Sequence, residues 1–152
     1  MNWINLSDAE NKLKENNFED KEALKYLIAL IIITSLASTK VVEIEWLKNI
    51  YILFQIIISI WGTNKVFKLN KKGDGNNFFK RYLVLSWIIG FRLLLISLFI
   101  ILPFSLLNHI FFSHLQIINI QIKDIFYTVF GLLFSIIYYF QFFKSIKRVS
   151  FK

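Results

Sequence analysis

The stretch YLVLSWIIGFRLLLISLFIIL, residues 82–102, decides the fold. It is apolar from end to end apart from Arg92 at its centre. About 20 such residues, rising 1.5 Å each, cross a hydrocarbon core of about 30 Å. The stretch therefore reads as a membrane-spanning helix. Arg92 sits about 15 Å from either end of it. A charge at that depth costs about 2.5–3.5 kcal/mol on insertion scales.

The whole chain shares this character. Of its 152 residues 56% are hydrophobic and 18% aromatic, against about 45–50% apolar in an ordinary soluble domain. The excess is Ile, Leu and Phe in long runs, which suits lipid and leaves no room for a separate soluble domain. There is no cysteine, so disulfides, thiolate metal sites and cysteine nucleophiles are excluded. The net charge is +8. Because the cations cluster at the ends of apolar runs, they point to an anionic membrane surface and not to nucleic acid.

Outward from 82–102, three further runs read as spans: about 24–42, 46–63 and 125–143. The expected architecture is an all-α membrane protein, a four-transmembrane-helix bundle over 24–143. A polar N-tail (1–23) precedes it and a basic C-tail (144–152) follows. In the N-tail, Ser7 and Glu10 have capping-box spacing, so a short helix is expected near Asp8. It either lies on the membrane surface or belongs to a loose tail. Pro103 should stop or kink the third span. Residues 104–122 are apolar but broken by Asn108, His109, Ser113, His114 and Gln116. They read as an interfacial or re-entrant segment, with a fifth span as the competitor.

Charge sets the expected orientation. Four spans put fourteen of the eighteen Lys and Arg on one side and Lys40, Lys48 and Lys123 on the other, with Arg92 within a span. The positive-inside rule then places both termini in the cytoplasm, in a plasma or bacterial inner membrane. The main polar loop, 64–81, carries Lys65, Lys68, Lys71, Lys72, Lys80 and Arg81 against one acid, Asp74. Its Gly73-Asp74-Gly75-Asn76 segment is a turn signal. Asp74 is expected to organise that turn by accepting bonds from Arg81 or nearby backbone N–H groups.

The run Asn70-Lys71-Lys72-Gly73-Asp74-Gly75, then Phe78, Arg81-Tyr82, Ser86-Trp87 and Arg92, resembles a recurring stretch of small bacterial four-helix inner-membrane proteins of no known activity. The likeness covers about 25 residues. It implies a four-helix membrane fold and picks out Asp74, Arg81, Trp87 and Arg92.

Antiparallel spans bring Thr34, Ser35, Gln55 and Ser135 to about the depth of Arg92. These are the expected acceptors for its five N–H donors. No carboxylate shares that layer. One reading makes Arg92 a structural hub. The other makes it a ring of positive charge around a hydrated path in an oligomer. His109 and His114 are five apart, not the four that would align two metal ligands on a helix face. With no nucleophile–base pair and no metal motif, an enzyme is not expected, and neither is a cofactor or a metal. Two functions stand open. One is a homo-oligomeric, channel-like or membrane-perturbing effector. The other is a membrane anchor whose basic loop docks a cytoplasmic protein or anionic lipid.

Overall fold

The computed structural model describes residues 5–15, 19, 22–23, 25–26, 43–112 and 116–151. In chain order the described elements are α1 (Leu6–Lys14), α2 (Glu45–Lys72), α3 (Phe78–Phe112) and α4 (Gln116–Ser150). All are helices, and α2, α3 and α4 are each long and apolar enough to cross a membrane. Of the expected span at 24–42 only residues 25–26 are described; Thr34 and Ser35 lie outside the described residues.

Helix α4 is the spine. It packs against α2 along one side and α3 along another, while α1 docks on α3 and α4. The core gathers toward the α2–α3 turn, around Val66, Val84, Leu85, Ile88, Ile89, Phe142 and Ile146. Close approach of α2 to α4 depends on Gly62, where a Cβ would overlap the Tyr139 ring. Away from this end the helices turn large apolar side chains outward, Ile60, Phe99 and Leu106 among them. Only 11% of the apolar stretch of α2 and 17% of that of α4 is buried within the chain. Water would penalise so much exposed Ile, Leu and Phe by about 25 cal/mol per Å², whereas lipid would not.

The helices outrun the expected spans. Helix α2 has 28 residues and α3 and α4 have 35 each, about 42 and 52 Å of helix. Much of the expected 64–81 loop is therefore helical: α2 continues to Lys72, and α3 starts at Phe78. Arg81 stands on α3, not in a loop. Pro103 does not end α3, which continues to Phe112. Losing one backbone bond there costs about 3 kcal/mol, too little to break a helix of that length. The described residues of 104–122 belong to the two long helices. Up to Phe112 they extend α3, and from Gln116 they open α4.

Helix α1 also differs from expectation. Its N-cap is Asn5, whose side chain accepts from the Asp8 N–H at 3.2 Å. Ser7 lies inside the helix, so the capping box is not used. Glu10 points inward instead and pairs with Arg148 of α4 at 3.3 Å. Ala9 and Leu13 are buried in the core beside the residues of α3 and α4. The apolar side of α1 covers protein here, because α3 and α4 offer it a fixed apolar surface at the same end of the bundle.

Candidate functional site

Three polar sites sit at different heights on this scaffold. The first closes the α2–α3 turn. Asp74 accepts from both terminal guanidinium nitrogens of Arg81, with Nη1 at 2.5 Å from Oδ1 and Nη2 at 2.6 Å from Oδ2. Nη1 also donates to Asn70 Oδ1 at 2.9 Å. The Arg81 side chain is fully buried. Asn70 in turn donates from Nδ2 to the Asn76 carbonyl at 3.3 Å, and its own carbonyl accepts from Gly75 N–H at 3.0 Å. Asp74 N–H donates to the Ser150 carbonyl at 2.9 Å, tying the turn to the end of α4. Gly75 takes φ 69°, which glycine adopts without a Cβ clash.

A forked, charge-assisted pair of this kind is stronger than neutral bonds and fixes orientation. Around it, Lys65, Lys68, Lys71 and Lys72 are exposed and Lys80 is half-buried. Six cations thus divide by role. Arg81 is turned inward to hold the turn, and most of the lysines face out.

The second site lies at mid-height between α2 and α4. Ser135 Oγ donates to Gln55 Oε1 at 2.8 Å, and Gln55 Nε2 donates to the Gly131 carbonyl at 3.2 Å. The structure brings these two expected polar residues together but leaves Arg92 outside their pair. Arg92 is exposed on α3 and hydrogen-bonds to none of the described residues. Residues one turn before it, Ile88 and Ile89, are buried, while Leu95 and Ile96 one turn after it are exposed. The guanidinium therefore emerges where α3 leaves the core and begins its outward apolar face.

The third site escaped the sequence. Asp124 directly precedes the expected span 125–143. It lies instead about two turns inside α4, fully buried. Its Oδ2 accepts from the N–H groups of Glu43 and Ile44, at 2.8 and 2.7 Å. Ile44 is the N-cap position of α2 and brings no capping side chain of its own. An acid eighty residues away supplies the cap. Lys123 beside it pairs with Glu43 at 2.8 Å. The one available signal was topological, since 43–48 and 123–124 fall on the same side of the expected bundle. Asp124→Ala should cost about 1–2 kcal/mol by orphaning two N–H donors at a helix start. An unchanged melting temperature in detergent would show that the cap contributes nothing.

A hydroxyl cluster also went unseen. Thr63 Oγ1 lies 3.1 Å from Tyr82 OH and 3.2 Å from Tyr139 OH, linking α2, α3 and α4. Among the described residues no three His, Asp or Glu side chains gather as a metal site would require.

Fold and sites together define an all-helical protein with three candidate membrane-crossing helices, tied at one end by a buried Arg–Asp pair. No family model, curated protein or solved structure matches the chain. The resemblance carried by residues 70–92 rests on those residues alone.

Proposed function

We propose that this chain is a multi-pass inner-membrane protein that assembles with copies of itself through the α3 face bearing Arg92. The assembly is channel-like, with a narrow path along that face. Its termini lie in the cytoplasm, with the basic α2–α3 turn on the same side. The supporting observation is Arg92 itself. It is an exposed guanidinium midway along a 35-residue apolar helix, with no hydrogen-bond partner among the described residues. In lipid such a group needs acceptors or water, and a neighbouring copy with trapped water supplies both. Leu95, Ile96 and Phe99 flank it with apolar surface, which suits a constriction gated by wetting better than a wide pore. A ring of arginines favours anions.

Chloride flux from liposomes tests the reading. Wild-type protein should release chloride above the rate of empty liposomes. No flux at any voltage or lipid composition tried removes the channel.

A second reading is favoured by the outward lysines of the α2–α3 turn. The chain is then a membrane anchor, and the turn docks an acidic partner or surface. Each cation near an anionic leaflet is worth about 1 kcal/mol. Replacing Lys68, Lys71, Lys72 and Lys80 with Gln should weaken attachment to such a surface at low salt, with insertion intact. Unchanged attachment would restrict these lysines to setting topology.

A further inference from the structure

We infer that the groove between α2 and α4 at the basic end is a binding site for one anionic phospholipid. The inference rests on the membrane-inserted orientation proposed above but on a different face from Arg92. The groove holds about 390 Å³. Its lining includes Lys65, Lys144 and Lys147 together with Trp61, Phe140 and Phe143. Among the described residues no carboxylate pairs with any of the three lysines.

Aromatic faces hold two of these ammonium groups in place. Lys65 Nζ lies 4.8 Å from the Trp61 ring and 4.6 Å from that of Phe143, and Lys144 Nζ lies 4.6 Å from that of Phe140. Cation–π contact orients an ammonium group while leaving its N–H donors open for an anion. Three cations with no carboxylate partner among the described residues complement a phosphodiester.

The groove's length identifies the rest of the ligand. From Phe143 back to Ile136, also in its lining, α4 rises about 10 Å, within the depth of one leaflet's hydrocarbon, about 15 Å. A headgroup phosphate on the lysines would lay an acyl chain along Phe140 and Ile136. A soluble anion would leave that apolar length exposed. Basic pockets between helices at the cytoplasmic end are suited to acidic headgroups in this way.

The test is native mass spectrometry of the full chain released from nanodiscs of mixed phosphatidylglycerol and phosphatidylcholine. Wild-type protein should retain one phosphatidylglycerol per chain in preference to phosphatidylcholine. K65Q/K144Q/K147Q should lose that retained lipid, while K12Q/K14Q/K25Q, with equal charge removed, should keep it. Added inorganic phosphate should not displace it. Equal loss in both triple variants, no preference for phosphatidylglycerol, or displacement by phosphate would each overturn the site. Flotation of every variant with neutral vesicles after an alkaline wash reads insertion separately. A chain that fails to float overturns the inserted orientation and the lipid site with it. A chain that floats without retaining lipid overturns the site alone.

Discussion

Asp74→Asn should destabilise the protein by about 3 kcal/mol and open the α2–α3 turn to protease. Asparagine preserves the shape of the side chain but removes the charge that neutralises Arg81. The Arg81 side chain is fully buried, and that of Asp74 is 20% exposed. Breaking a buried pair from one side typically costs 3–5 kcal/mol, because the remaining ion stays out of water. Partial exposure of Asp74 puts the effect at the low end of that range. The damage should spread, since Asn70, Asn76 and the Ser150 carbonyl are held by the same network. Asp74→Asn combined with Arg81→Leu should recover much of the loss, because no unpaired ion is then left buried. Melting temperature and the rate of cleavage within 73–77 read both outcomes. Identical protease sensitivity of wild type and Asp74→Asn would refute the organising role.

Arg92→Leu should act in the opposite direction on stability and abolish conduction. No described residue hydrogen-bonds the guanidinium, so the substitution removes a mid-helix cost of about 2.5–3.5 kcal/mol without orphaning a partner in the same chain. Insertion should survive and the melting temperature of the single chain should hold or rise. Assembly should weaken, and chloride flux should drop to the level of empty liposomes. Arg92→Lys keeps the charge but not the planar fork. It should conduct, in a less stable assembly. If Arg92→Leu leaks as fast as wild type, Arg92 does not line the path.

Sequence patterning revealed the helices and one of the sites, for physical reasons that differ by element. Long apolar runs announce helices that can cross a membrane, and α2, α3 and α4 contain the expected stretches 46–63, 82–102 and 125–143. Their ends were less legible. A helix continues past its apolar part wherever propensity and capping allow, as α2 does through Lys65, Lys68 and Lys71, so hydropathy underestimates it. The Asp74–Arg81 pair was visible because a lone acid among six cations has an obvious use. Asp124 was not, since capping a helix eighty residues away is a tertiary event with no local pattern. Glu10 misled for the same reason. Its spacing from Ser7 fits a local cap, and a cation on α4 competed for it. For Arg92 the spacing sets depth but not direction. Matching depths put Gln55 and Ser135 at its level, yet helix rotation turns those two toward each other and Arg92 away.

The most direct measurement is the mass of the wild-type protein in nanodiscs, after subtraction of lipid and scaffold. A discrete multiple of the 18.1 kDa chain is expected, collapsing toward the single chain in Arg92→Leu. A wild-type mass of one chain at every protein-to-lipid ratio would contradict it, leaving the exposed arginine without the neighbouring copy on which the proposed path depends.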